Sequence, residues 1–285
     1  MTADSISASY AVGTVVRTNA TANFRPCAST ASRCSPYGQL TSGTRATLTA
    51  GSPSNGFYEV DLARDVGGHT HGFIHGNLLS IVSIPSPTPP PADMRDTATA
   101  LVDATQDCTP VSGSPRYAKD SGGTRNIPIC RTRTAIWFRA DLDIDCDGGS
   151  SSSCRSDPYY QSSTSAVTST GRYLDASTMN FAVVPLDTDG FSFSRIGVRS
   201  GTVMAAVYAG RVSYGIVGDM GPRGVVGEAS AHMAGELGIN TSPTRGGVES
   251  GVTYLLFPDI RVTRNEDQAE ARRLAEAAVS RFLGR

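Results

Sequence analysis

Short apolar stretches that alternate with polar residues dominate the first 84 positions. Gly13 to Val16, Ala46 to Leu48, Phe57 to Leu62 and Gly72 to Ile74 read as strands, each bounded by Gly, Asn, Ser or Pro. The pattern changes after residue 91. Ala92 to Thr105 places Met94, Ala98, Leu101 and Val102 on one face of a helix. Strands are then expected at Thr134 to Ala140, Met179 to Val184, Thr202 to Tyr208, Arg211 to Val217 and Val252 to Phe257. Ala209-Gly210 is placed to turn a hairpin between two of them. A short helix is expected from about Ala229 to Leu237, stopped by Gly238. The last helix is predicted to open at Asn265, an N-cap with Gln268 three residues on. Its buried stripe is Ala271, Leu274, Ala275, Ala278 and Phe282. Strands outnumber helices, so the expected fold is mainly β, with helices at the periphery.

The run Pro85-Ser86-Pro87-Thr88-Pro89-Pro90-Pro91 can join neither a sheet nor a helix. At ~3.1 Å per residue in polyproline II it spans about 22 Å, a short semi-rigid spacer. It divides the chain into residues 1–84, a linker at 85–91, and residues 92–285.

Composition narrows the possible partners. The net charge of −1 over 285 residues implies no nucleic-acid or anionic-membrane partner. No apolar run approaches the ~20 residues of a membrane span. The six cysteines are even in number, fall in local pairs and show no C-x-x-C spacing. They point to an oxidising, extracellular setting and to the pairs Cys27–Cys34, Cys108–Cys130 and Cys146–Cys154. Met1 leads straight into Thr2-Ala3-Asp4-Ser5, so it reads as a start codon in front of a mature secreted chain. A monomer is expected. Lys119 is the only lysine, a bias that carries no functional content on this reading.

Two constellations can carry chemistry. Asp141-Leu142-Asp143-Ile144-Asp145-Cys146-Asp147-Gly148 sets four aspartates at alternate positions at a strand end, on one face while the strand lasts. Four like charges need compensation. An EF-hand-like calcium loop, another cation site, a solvated acidic turn and a patch for a cationic ligand all answer to this pattern. Against the EF-hand, its twelfth position is Cys154 and a strand precedes it. Cys146 and Cys154 bracket the segment and would stiffen it.

The second constellation runs from Gly218 to Ser230. A buried-looking strand leads into Asp219, a Gly/Pro turn follows, and Glu228 stands just ahead of a helix. Flanking glycines leave room for a ligand. Acid–base hydrolysis needs two carboxylates across a cleft. The plainer alternative is a turn-opening Asp219 and a Glu228 that suits a helix N-terminus. His69, His71 and His75 read as strand-end surface residues, His232 as structural, and Ser150 to Ser153 as a flexible loop.

The segments Asn23-Phe24-Arg25-Pro26, Gly38-Gln39-Leu40, Gly56-Phe57-Tyr58-Glu59-Val60 and Gly72-Phe73-Ile74-His75-Gly76-Asn77-Leu78 resemble bacterial SH3-like domains over about residues 10 to 82. The Cys27 to Cys34 loop is an insertion in that pattern. Such a resemblance implies binding of a cell-wall polymer or packing on a neighbour, and no chemistry.

Beyond the spacer, the run Ala135 to Gly148, Asn180-Phe181-Ala182-Val183-Val184-Pro185, Gly218-Asp219 and Gly227-Glu228-Ala229-Ser230 resemble, in order, the family 75 glycoside hydrolases, chitosanases of fungi and some actinobacteria. That resemblance implies endo-hydrolysis of chitosan by inversion, with Asp219 and Glu228 as the catalytic pair. It implies neither a cofactor nor a metal. Glu228 is assigned as acid, having the higher reference pKa and longer reach, and Asp219 as base. A helix N-terminus would pull the other way on Glu228. Asp141, Asp143, Asp145 and Asp147 are expected to bind the substrate's protonated amines. The segment between the pair is shorter here than in the fungal enzymes and contains Arg223. A similarity to double-psi β-barrel hydrolases completes the fold expectation. A peptidoglycan hydrolase and a non-catalytic wall-binding protein are the rival readings.

Overall fold

The computed structural model describes residues 6, 10, 13–50, 53–83 and 91–285. The start-codon reading of Met1 and the spacer up to residue 90 lie outside the described residues. The chain separates into two compact units, Met1–Thr88 and Pro89–Arg285.

Among the described residues, seven strands build the first unit: β1 (Val15–Thr18), β2 (Ala22–Phe24), β3 (Gly38–Leu40), β4 (Arg45–Leu48), β5 (Phe57–Val66), β6 (His69–His75) and β7 (Leu79–Ser83). Five form an antiparallel sheet in the order β6-β5-β4-β1-β7, and β2 pairs with β3. Alternate residues supply the core, among them Val16, Leu48, Tyr58, Val60 and Ile74. The three histidines do not converge. His71 bridges Asp61 and Glu59, His75 meets Asn77, and His69 stacks on Tyr37.

The second unit contains α1 (Ala92–Asp103), β8 (Cys130–Arg131), β9 (Ile136–Asp145), α2 (Ser152–Arg155), β10 (Phe181–Val184), β11 (Thr202–Tyr208), β12 (Arg211–Met220), β13 (Glu228–Ser230), α3 (Ala231–Glu236), β14 (Val248–Arg261) and α4 (Gln268–Phe282). Its sheet runs β13-β10-β12-β11-β14-β9-β8, and β13 also pairs with β9. That last pairing closes a six-stranded barrel. The β13–β9 and β10–β12 pairs are parallel, and the other barrel pairs are antiparallel.

Period two sorts the side chains between two cores. Phe138, Leu142, Ala182, Met204, Val217, Ala229 and Tyr254 come from all six barrel strands and fill the interior. Their neighbours Trp137, Phe181, Ala205, Ile216 and Leu255 face outward, where Leu101 of α1 and Ala271, Ala275 and Ala278 of α4 cover them. Each large apolar side chain buried this way contributes about 1.5–3 kcal/mol.

Several elements depart from the sequence expectation for local reasons. β9, β12 and β14 run past their expected ends because neighbouring strands pair with them along those lengths. Ala229 belongs to β13, and Ser230 caps α3 by accepting a hydrogen bond from the Met233 N–H. Asn265 does not cap α4. Its amide donates to the Val167 carbonyl at 2.7 Å, and Asp267 takes the cap, accepting from the Glu270 N–H at 2.9 Å. The serine run is ordered, since Ser151 caps α2 and the Ser150 N–H donates to Asp175. At the β11–β12 turn Ala209 and Gly210 have φ of 46° and 76°, the left-handed pair that a tight hairpin needs.

Three disulfides join Cys27 to Cys34, Cys108 to Cys130 and Cys146 to Cys154. Cys108–Cys130 closes the largest loop, 22 residues, and ties the segment after α1 to β8. Replacing both of its cysteines by serine should lower stability by ~3 kcal/mol, the unfolded-state entropy of a loop that long. The check is the denaturant midpoint of the full chain; an unchanged midpoint would show that the bridge constrains nothing.

Candidate active site

Closure of the barrel assembles an acidic face on its outer wall. Along β9, Ala140, Leu142 and Ile144 pack with the interior, so Asp141, Asp143 and Asp145 point outward. β13 lies alongside in parallel register, with Glu228 opposite Asp143 and Ser230 opposite Asp145. Ala229 points into the core, which turns Glu228 to the acidic side. The next two strands are β10 and β12, and β12 sets Asp219 opposite Val183. Glu228 and Asp219 thus rise from strands two apart, roughly 10 Å between backbones.

The four aspartates of the row do not act as one patch. The strand ends at Asp145, and Asp147 turns back, its N–H donating to Asp145 Oδ1 at 2.6 Å. Carboxylate oxygens of Asp145, Asp147 and Asp219 lie within 4.8 Å of one another. Asp141 and Asp143 form a separate triad with Asp120, at the same spacing. An EF-hand is ruled out: a strand leads into the segment, and Cys154 is held in a disulfide.

Asp219 is 7% exposed, and three donors converge on its Oδ1. They are the Ser165 N–H at 2.8 Å, the Ser165 hydroxyl at 2.6 Å and the Met220 N–H at 2.7 Å. This fixes the carboxylate plane and leaves Oδ2 out of those bonds. Gly218, just before it, must be glycine, because a Cβ there would meet Phe181 at 2.5 Å. Gly227 plays the same part before Glu228. It has φ of 113°, and a Cβ would come within 1.9 Å of Asp141 Oδ1.

Burial, then the charges of Asp143, Asp147 and Asp219, push Glu228 up to about 8. The helix N-terminus expected to pull it down lies beyond it, because Glu228 belongs to β13 and α3 opens at Ala231 behind its cap Ser230. Burial also raises Asp141 to about 7 and Asp147 to about 6. It lifts Asp145 well above the usual carboxylate range, with Glu228 as the next cause. Asp145 Oδ2 and Asp141 Oδ1 are both buried without a hydrogen-bond partner. Arginine does not relieve this crowding. Arg223 donates to the Asp187 carbonyl and Arg125 pairs with Asp189. Among the described residues, Lys119 is the one cation within ion-pair distance of either triad, 3.7 Å from Asp120.

Asp141, Asp143, Asp145, Asp147, Asp219 and Glu228 are therefore on one face, as two neighbouring clusters with Glu228 beside both. Asp120 and Ser165 were not singled out in the sequence. Each sits in a polar turn with no periodic signal, and only the closed barrel brings it to the site. His232 is structural as expected, paired with Asn180 at 2.7 Å. A depression of 530 Å³ bordered by Ser151, Ser177, His232 and Glu236 contains none of these acids.

Several carboxyls that hold protons in the fold release them in the unfolded chain near their ordinary values. Their contribution is present below the ordinary carboxylate range and is lost as pH rises toward about 8. Thermal stability should therefore fall between about pH 5 and pH 8, and Asp141→Asn should flatten that slope. A midpoint that rises over this interval would contradict the buried, proton-holding face.

No curated protein matches the chain. Residues 142–282 match the family described as fungal chitosanase of glycosyl hydrolase group 75. The matched span holds Asp143, Asp145, Asp147, Asp219 and Glu228 and begins one residue after Asp141. On the acidic face and this match, the chain is an enzyme, a glycoside hydrolase.

Proposed function

We propose that the chain is a secreted endo-chitosanase that cleaves β-1,4 bonds between glucosamine units. The observation that carries this reading is the contrast between the two carboxyls. Glu228 holds its proton to about pH 8, as an acid needs to do. Asp219 has three donors on one oxygen, as suits a carboxylate base. Glu228 protonates the glycosidic oxygen while Asp219 draws a proton from the attacking water. Inversion is what the chitosanase resemblance implies, and it requires a water between the two carboxyls.

Asp141, Asp143, Asp145 and Asp147 receive the substrate's ammonium groups. A crowded acidic face gains from a polycation and gains nothing from a neutral glucan. Peptidoglycan offers fewer cations, which disfavours the rival hydrolase. The parallel β13–β9 and β10–β12 pairs within a closed barrel support a double-psi type of wall. Residues 1–84 serve as an SH3-like domain that holds a cell-wall polymer, followed by the 85–91 linker and the catalytic domain 92–285. The three local disulfides favour export, and no described helix is long and apolar enough to cross a membrane. The enzyme acts as a monomer, without cofactor or catalytic metal.

Incubation with chitosan should release reducing ends, and chitin and peptidoglycan should release far fewer. Glu228→Gln and Asp219→Asn should each lower kcat by ~10²–10⁴-fold with the fold intact. Activity should fall as pH rises through about 8, because the acid is then lost, and Glu228→Gln should abolish that limb. A wall-binding protein would release no ends at all.

Stereochemistry gives a separate check. Proton NMR on a β-linked glucosamine oligomer should show the α-anomer first, with mutarotation afterwards. An initial β-anomer would mean a carboxylate attacked carbon directly, at the ~5–5.5 Å spacing of a retaining enzyme.

A further inference from the structure

The depression beside α3 has no part in the hydrolytic step. Its 530 Å³ falls within the ~300–1,000 Å³ of small-molecule sites. Three segments meet there: α2, the turn at Ser177, and α3. Serine hydroxyls border it. The Ser151 hydroxyl accepts from the Cys154 N–H at 3.1 Å, and the Ser177 hydroxyl accepts from the Ser151 N–H at 3.0 Å. A hydroxyl carries one O–H, and in both residues these bonds leave it free to donate. Ser153 joins the capping of α2 only through its carbonyl, which accepts from the Ser156 hydroxyl at 2.7 Å, so its O–H is a further donor.

The same border supplies an acceptor. Asn180 Nδ2 donates to the Tyr214 carbonyl at 3.2 Å, which turns Asn180 Oδ1 to His232. His232 therefore donates from Nδ1, at 2.7 Å, and its Nε2 is left with a lone pair. Charge is settled locally. Glu236 accepts from the Ser213 hydroxyl at 2.8 Å and pairs with Arg272 at 3.3 Å, and neither partner borders the depression. Among the described residues no arginine or lysine lines it. A free ammonium thus finds no unanswered carboxylate here, and an anion finds no cation. Ala231, Gly235 and Cys154 add a small apolar wall. Donors, an acceptor and an apolar wall together suit a neutral group with a carbonyl oxygen, an N–H and a methyl. The acetamido group has all three.

We propose that this depression is an acetamido subsite, which takes the N-acetylated units of a partly acetylated chain. A serine hydroxyl donates to the acetamido carbonyl, the acetamido N–H donates to His232 Nε2, and the methyl lies against Ala231. The proposal rests on the chitosanase reading and adds a preference to it: glucosamine on the acidic face, N-acetylglucosamine here. The two places are linked through the chain. Cys154 is bonded to Cys146, which stands between Asp145 and Asp147, and Ala231 follows Ser230, the register partner of Asp145. One polymer that carries both kinds of unit can engage both.

The test uses the full chain with Glu228→Gln, which keeps oligomers intact, and proton NMR titration with three trisaccharides. They are the N-acetylglucosamine trimer, the glucosamine trimer, and cellotriose, which has a hydroxyl in place of the acetamido group. The acetylated trimer should bind and broaden its methyl signal, and cellotriose should bind roughly tenfold more weakly. Adding Ser153→Ala should weaken the acetylated trimer roughly three- to tenfold, the loss of one hydrogen bond, and leave the glucosamine trimer unchanged. Ser153→Tyr fills the depression and should abolish binding of the acetylated trimer. Ser153 is half-buried within α2 and alanine suits a helix, so the alanine variant decides the matter should tyrosine unfold the chain. No binding of the acetylated trimer, equal binding of cellotriose, or equal losses for the acetylated and free-amine trimers would each overturn the subsite. So would binding that neither change at Ser153 affects, because the trimer would then sit elsewhere. These titrations need no turnover. Failure of the wild-type chain to release reducing ends from chitosan would instead sink the enzyme reading, and binding alone would still decide the subsite.

Discussion

The parallel pairing of β13 with β9 is the contact on which the rest of the second unit depends. Only three residues of β13 take part, Glu228 to Ser230. They do two things at once. They close the sheet into a barrel, whose interior then holds apolar side chains from six strands. They also set Glu228 against Asp143, so that the wall which completes the core carries the acids on its outer side. Ala229 is the pivot, since its burial in the core obliges its two neighbours to face away. Glycine at 227 is required for the same approach, because any side chain there would run into Asp141.

This arrangement carries an electrostatic cost that the fold does not cancel internally. Asp141, Asp145, Asp147 and Glu228 are all raised, with burial the leading cause in each. Nearby arginines are engaged elsewhere, and the single lysine stands at the edge. A face of this kind loses stability as it ionises, and it is relieved by a polycation or by retained protons. Both outcomes suit a hydrolase that needs a protonated acid and a cationic polymer. The crowding that weakens the fold is the same crowding that raises Glu228, the acid of the proposed mechanism.

Support for the site comes from further away. Cys146–Cys154 anchors the end of β9 to α2, and Asp175 ties the serine segment through Ser150 and Ser177. Ser165 reaches across to hold Asp219. Asn265, in place of capping its own helix, secures the Val167 carbonyl in the same stretch of chain. The acidic face is thus held by loops whose polar groups are spent on one another.

Much of this was legible in the chain itself. Strand positions followed from period-two alternation, the helical stripe of α4 from its 3.6 repeat, and the cysteine pairs from their nearness in sequence. Flanking glycines marked Asp219 and Glu228 as candidates, and the resemblance to family 75 glycoside hydrolases made them a pair. These features are local, set by backbone geometry over a few residues, and a sequence displays them directly. What it did not display was which strand lies beside which. The division of the aspartate row into two triads, the arrival of Asp120 and Ser165, and the place of Lys119 all follow from pairings between distant segments. The protonation of Glu228 follows from them too, because burial and neighbouring charge, not residue type, decide where a carboxyl titrates. Sequence determined the strands and the carboxylates; the closed barrel alone decided which carboxylates meet, since contacts across a sheet join residues that no local period relates.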